Sequence, residues 1–301
     1  MQDKVTRKRT MADRLICGYN DARYGVMEPM KLRLARLKNE QFYKDSGEDP
    51  LISVYTPTYN RGNLLLERAL PSVLAQTYKN FEYIIVGDCC TDNTAEFVAK
   101  INDPRIRFYN LPKRGYRYPP TVENHWLAGP VVPANQALQM ARGKWIARLD
   151  DDDIWTPDHL AALLRFAQAG NYEFVSAQGY EERNGKRNIC EGYYAQSSYY
   201  NRVNKSVKGD NPKIGGTATW LYRSYLKFFK YNINCWRKDW NRVNDIDLVI
   251  RMFKAGARLG NLAKPLLLVL PRPGEQVIGI EAYQNSKEDK LKHFEFKDNK
   301  N

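Results

Sequence analysis

Histidine is scarce in this chain: only His125, His159 and His293 occur among 301 residues, and none forms an H-E-x-x-H pattern. Histidine-ligated metal chemistry is therefore disfavoured. The five cysteines, Cys17, Cys89, Cys90, Cys190 and Cys235, are odd in number and contain no C-x-x-C spacing. They argue against a zinc site or a disulfide framework and fit reduced thiols in a cytoplasmic protein. No apolar run reaches membrane-spanning length, and the charged N-terminus lacks the apolar centre of a signal peptide, so a soluble protein is expected. Internal repeats are absent as well. Acidic residues are outnumbered, leaving a formal net charge of +13. The excess lies in residues 1–45, with eleven Lys and Arg against six Asp and Glu, and in residues 182–242, with thirteen against four. Anionic substrates, an anionic membrane surface and nucleic acid are the partners such charge attracts.

Against that background one acidic stretch stands out, Trp145-Ile-Ala-Arg-Leu-Asp-Asp-Asp-Asp-Ile-Trp-Thr-Pro157. Its first five residues read as a buried strand, and Thr156-Pro157-Asp158 as the start of a helix. Four carboxylates then crowd the strand's C-terminal end. Each opposes its neighbours' ionisation, so the run needs water or a cation beside it. Magnesium or manganese suits such a site, because these ions take one or two protein carboxylates and complete their shells with water and phosphate oxygens. A metal-bridged diphosphate is the substrate class this suggests; a solvated acidic turn is the plain alternative.

Length and 43% hydrophobic composition allow one large α/β unit. Four parts are expected: a basic N-terminal helical extension (1–49), a nucleotide-binding half (50–180), an acceptor-side half (181–270) and a tail (271–301). Within the extension, residues 29–38 carry Leu32, Leu34 and Leu37 among cations, a pattern shared by membrane-surface helices and by helices packed on their own domain. Strands are expected at 51–55, 81–86, 105–109, 145–149, 172–177, 215–222 and 265–270, with helices over 64–76, up to about 101, 133–142 and 244–253. Asn184-Gly185 predicts a hairpin turn, and residues 110–132 form a long loop, a candidate flap. Asn244 or Asp245 is the expected cap of the late helix. Strands alternating with helices imply a mostly parallel sheet, whose ligands bind beyond the C-terminal strand ends. The exits at 56–61, 88–92 and 150–153 would open onto one edge.

These residues together resemble the family-2 glycosyltransferases of the GT-A fold. The likeness rests on Ile52-Ser-Val-Tyr-Thr-Pro-Thr-Tyr-Asn-Arg61, Ser72-Val-Leu-Ala-Gln-Thr-Tyr78, Val86-Gly-Asp-Cys-Cys-Thr-Asp-Asn-Thr94, Asn135-Gln-Ala-Leu138, the aspartate run and Asn244-Asp-Ile-Asp-Leu-Val-Ile-Arg251, in family order. It implies inverting transfer of a sugar from a nucleoside diphosphate (UDP, dTDP or GDP) to a hydroxyl of a glycan, lipid-linked or protein-linked acceptor. On the same likeness Thr56, Pro57, Tyr59, Arg61, Asp88, Asn135, Asp150 and Asp151 hold the nucleotide, with Asp150 or Asp151 at the ribose. Asp152, with Asp150, holds the metal, and Asp245 is the base, with Asp247 its rival. Gly215, Gly216, Thr217 and Trp220 are candidate acceptor contacts, as is the basic, Tyr-rich segment 193–242.

Two departures from the family pattern matter. The second motif keeps one acid, Asp88, before Cys89-Cys90, and Ala134 stands where an Arg often precedes Asn135, leaving Lys113 or Arg114 to supply a phosphate contact. The Q-x-x-R-W signature of processive synthases is missing, so single-sugar addition is expected. Rival expectations are a sugar-phosphate nucleotidyltransferase, which builds a related metal site, and a nucleic-acid-binding module, which only the charge suggests. No nucleic-acid partner is expected, and peripheral membrane contact through the basic segments stands as one alternative beside packing of the leader on its own domain.

Overall fold

The structure, a computed structural model, describes residues 9–44, 49–194, 213–239 and 242–285. Its first half is a wholly parallel sheet. Strands β1 (Ile52–Thr58), β2 (Phe81–Gly87), β3 (Ile106–Asn110) and β4 (Trp145–Arg148) lie in the order β3-β2-β1-β4. The same sheet continues through β10 (Leu221–Arg223), antiparallel between β4 and β6 (Phe174–Arg183), then β11 (Leu259–Val269) parallel to β6. The short β5 (Asp153–Trp155) closes that edge against β11. Because one sheet runs through both halves, the expected 180/181 boundary falls inside β6.

Alternation along the strands explains the two cores. Ile84, Val86 and Ile146 face one side with Tyr55; Ile52, Val54, Ile85 and Ala147 face the other. Strands buried on both faces read as continuous apolar runs, which is why β1, β2 and β4 are legible in sequence. The first face is covered by α6 (Val122–Ala128), α7 (Val131–Met140) and α9 (Asn244–Lys254), the second by α8 (His159–Ala169) and the turns of residues 62–74. The Asn184-Gly185 hairpin joins β6 to β7 (Lys186–Cys190), with both turn residues at positive φ, 50° and 71°.

Several boundaries differ from expectation for identifiable reasons. The 110–132 stretch is not one open loop, since it holds α6, started by Thr121, whose hydroxyl accepts from the Asn124 amide. A 3-10 turn at Thr217–Thr219 interrupts the expected 215–222 strand. β11 begins at Leu259, six residues before Pro265, which sits at a register irregularity where a missing N–H does no harm. Val243 precedes α9, and neither Asn244 nor Asp245 is its cap. The aromatic, cationic stretch 195–212 and the tail beyond residue 285 lie outside the described residues.

The N-terminal extension forms α1 (Met11–Asn39), opened by a capping box in which the Thr10 hydroxyl accepts from the Asp13 amide and Asp13 Oδ2 accepts from the Thr10 amide. Leu32 is buried in the first core, but polar pairs hold most of the helix. Asp13 accepts from Arg237 at 2.8 Å, Glu28 pairs with Arg251, and Arg36 donates twice to the buried Glu173, at 2.7 and 2.6 Å. Burial alone would raise the Glu173 carboxyl; Arg36, Tyr225 and the Arg258 amide outweigh it and hold it below the usual range. Arg36→Ala is expected to lower stability by about 2 kcal/mol, because it leaves a buried carboxylate short of its main partner. A urea midpoint within error of wild type would contradict that anchoring.

Candidate active site

The exits of β1, β2 and β4, the start of α9 and the segment after β11 enclose a cleft of about 810 Å³. Pro57, Tyr59, Arg61, Asp88, Asp150, Asp151, Asp152 and Asp245 all line it. The strand exits at residues 57–61 and 150–153 thus share one wall, facing the start of α9 at Asp245. The parallel sheet brings those exits together, since it delivers every strand's C-terminal end to the same edge.

The aspartate run is countered chiefly by arginines. Asp150 Oδ1 accepts from Arg148, a nearly buried side chain, at 3.0 and 2.8 Å. Asp151 accepts from the Thr58 hydroxyl at 2.8 Å and from Arg61 at 3.1 Å, and Arg61 also reaches Asp152 at 3.3 Å. Arg68 binds the Asp152 carbonyl at 3.0 Å and the carbonyls of Leu270 and Pro271, tying the run to the end of β11. Burial still dominates the titration. It pushes Asp151 up to about 6, against Arg61 and with help from Asp152. It raises Asp150 against Arg148, with the charges of Asp152 and Asp245 adding to the rise. Burial and the charges of the other three carboxylates raise Asp153 well above the usual carboxylate range.

Asp150 and Asp152 are the members of the run turned partly to the cleft, with side chains 34% and 25% exposed. Two such carboxylates fit a magnesium or manganese ion whose remaining ligands are water and phosphate oxygens. Among the described residues, no three His, Cys, Asp or Glu side chains are arranged to cage an ion by themselves.

At the far wall α9 separates the two candidate bases. Asp247 is wholly buried, 2.5 Å from Lys238 Nζ and 3.0 Å from Arg251 Nε. Burial would raise its carboxyl, but these cations prevail and hold it low. Asp245, two residues earlier and so on another helix face, lines the cleft; its carboxylate accepts from the Thr217 hydroxyl and, at 2.7 Å, from the Ile246 amide. The Asn244 side chain donates to the Leu127 carbonyl at 2.9 Å and fixes the helix start.

Other expected contacts are committed elsewhere. Thr56 is buried, its hydroxyl bonded to Tyr83 and to the Leu149 carbonyl. The Asn135 amide clamps the backbone of Tyr231 at 2.9 Å in both directions. Trp220 is a core residue whose indole donates to the Gly215 carbonyl, and Gly215 lies so close to β6 that a Cβ would stand 1.9 Å from the Ala177 oxygen. None of these four lines the cleft, and neither does Gly216. Thr217 reaches it only through Asp245.

Sequence reasoning missed the partners of Asp88. Arg114 and Arg117 reach its carboxylate at 2.9 and 2.7 Å, and the Arg114 guanidinium lies 3.8 Å from the centre of the Tyr59 ring. Burial, then the nearby arginines, lower His125, close to Arg114 and Tyr118, well below the usual imidazole range. The cationic loop 113–117 was the available signal, although nothing local says which acid it meets.

The sequence model of glycosyl transferase family 2 matches residues 53–118 and 122–229, and the chain belongs to that family. It is 31% identical over 219 residues to the colanic acid glycosyl transferase candidate WcaA of Escherichia coli K12, covering 68% of this chain and 66% of that one. Over 184 residues it is 29% identical to the E. coli UDP-Glc:alpha-D-GlcNAc-diphosphoundecaprenol beta-1,3-glucosyltransferase WfgD, covering 61% of this chain and 65% of that one. The fold matches the crystal structure of Staphylococcus aureus TarS with UDP-GlcNAc at a TM-score of 0.55 and 20% identity, over 79% of this chain and 61% of that one. This is the GT-A arrangement expected from the motifs. The chain therefore spans just under two thirds, or less, of each of these relatives.

The raised Asp151 carboxyl gives a pH test. The folded protein keeps a proton there up to pH about 6, whereas the unfolded chain loses it near pH 4. This contribution is present at low pH and declines as pH rises through 6. From pH 5 to 7, in chelator, wild type is expected to lose on the order of 1 kcal/mol relative to Asp151→Asn. A difference in urea stability that is flat or opposite in sign would contradict the assignment.

Proposed function

We propose that the protein transfers one sugar, with inversion, from a uridine, thymidine or guanosine diphosphate sugar to a hydroxyl of a glycan, lipid-linked or protein-linked acceptor. The observation that carries this reading is the single cleft lined by both the aspartate run and Asp245. Inversion in one displacement needs a base and a leaving diphosphate on opposite sides of the anomeric carbon. Asp245 is the base: it removes the acceptor hydroxyl proton as that oxygen bonds the anomeric carbon and the bond to the diphosphate breaks. The Thr217 hydroxyl on Oδ2 and the Ile246 amide on Oδ1 orient the carboxylate, whose remaining lone pairs take the proton. Asp150 and Asp152 would hold a divalent ion such as magnesium or manganese, which would supply charge stabilisation to the departing diphosphate. Arg61 closes the phosphate side.

The base sits beside Tyr59. Asp88, which lines the cleft and is held by Arg114 and Arg117 behind it, can accept the imide-type N–H that uracil, thymine and guanine carry and cytosine and adenine lack. Five free cysteines, Cys17, Cys89, Cys90, Cys190 and Cys235, support a cytoplasmic setting; among the described residues no helix is long and apolar enough to cross a membrane. WfgD's undecaprenol-linked acceptor makes lipid diphosphates the first acceptors to try.

The test is a panel of nucleoside diphosphate sugars with manganese and lipid diphosphate-linked acceptors, read by nucleoside diphosphate release and thermal shift. Asp245→Asn is expected to lower kcat by about a thousandfold with donor affinity nearly unchanged. Asp152→Asn should abolish the metal-dependent part of nucleotide stabilisation. Pyrophosphate made from a sugar phosphate and a nucleoside triphosphate would favour the nucleotidyltransferase reading. If no nucleotide shifts melting with any metal, the proposal fails.

A further inference from the structure

Helix α1 is built inside out. A helix lying on a globular domain normally turns its apolar stripe inward and its charges to water. Here the inward face carries Asp13, Asn20, Glu28 and Arg36, with Cys17 and Leu32 as its main buried apolar groups. The outward face carries Met11, Leu15, Tyr19, Val26, Met30, Leu34 and Leu37, all more than half exposed, with Leu37 at 84%. Their spacing of mostly three, four and seven residues puts them on one arc of about 140° at 100° per residue. From Met11 to Leu37 that row runs about 39 Å along the helix, a long exposed apolar line interleaved with Arg23 and Arg33.

We propose that this face is a docking surface for an anionic lipid bilayer, lying in the headgroup region with the apolar row directed into it. The charges select that occupant. Arg23 and Arg33 fall within the apolar arc, and Arg14, Lys31 and Lys38 are exposed beside it. Asp21 is the one exposed acid on the helix, and it lies 3.5 Å from Lys238. Long cationic side chains interleaved with large apolar ones are the composition of an interfacial helix, whose arginines reach lipid phosphates while their stems stay in the apolar layer. A second copy laid against the same stripe would bring like charges together; an anionic membrane attracts each of them. The polar underside explains how the helix remains attached to its domain without its apolar residues: the Asp13–Arg237, Glu28–Arg251 and Arg36–Glu173 pairs hold it. No residue of α1 lines the cleft, so this surface is independent of the donor-site reading.

The test is flotation of the full chain with vesicles of phosphatidylcholine alone and of phosphatidylcholine with phosphatidylglycerol. Wild type is expected to float with the anionic vesicles at least tenfold more than with the neutral ones, and to be released by salt. Leu15→Glu with Leu34→Glu and Leu37→Glu should abolish flotation without moving the melting temperature, since these side chains are exposed. Arg23→Gln with Arg33→Gln should remove most of the preference for anionic lipid while leaving the apolar row intact. Wild type that stays with the aqueous fraction, or a triple variant that floats as well as wild type, would overturn the proposal. So would a stable dimer in sedimentation equilibrium that the triple variant dissolves, which would assign the stripe to a second copy.

Discussion

Four consecutive carboxylates at the end of a buried strand are the constraint to which the rest of the cleft answers. Charges this close and this dry oppose one another's ionisation, and no single neighbour relieves all of them. Relief arrives from several directions: Arg148 on the strand itself, Thr58 and Arg61 from the adjoining β1 exit, and Arg68 from the next helical turns. Asp153, buried beside them, has its carboxyl raised well above the usual range. The arrangement keeps Asp150 and Asp152 open to the cleft and reserves Asp151 for the frame.

Helix α9 applies a similar division at the other wall. Its two early acids differ by two positions, which on a helix means different faces. Asp247 goes inward to Lys238 and Arg251, and through Arg251 is linked to Glu28 on α1. Asp245 goes to the cleft. The buried acid and its cations fix the helix, and the exposed acid inherits that rigidity. α1 thus braces the helix carrying the proposed base through its polar side while presenting apolar residues outward, so one element serves two surfaces.

Much of the fold was legible because its signals are local. Apolar strands followed by helices gave β1, β2 and β4, and Asn184-Gly185 fixed the hairpin from two residues. The convergence of strand exits followed from topology alone. What stayed hidden was long-range. Whether Asn135 meets a ligand or a backbone depends on Tyr231, 96 residues away, and Thr56 on Tyr83 and Leu149. That Asp247 is buried and paired while Asp245 lines the cleft depends on Lys238, which belongs to another loop. Trp220 and Gly215 looked like contact residues because Gly and Trp serve binding and packing equally well; β6 decides for packing. The outward stripe of α1 was half visible in Leu34 and Leu37, but which side faces the domain is a tertiary fact.

The most direct test of the shared centre is an anomalous difference map at the manganese edge from crystals holding manganese and a nucleoside diphosphate. A peak beside the Asp152 carboxylate is expected, with the diphosphate between it and Asp245 and the base next to Tyr59. Manganese bound away from the aspartate run, or a nucleotide seated outside the cleft, would contradict it.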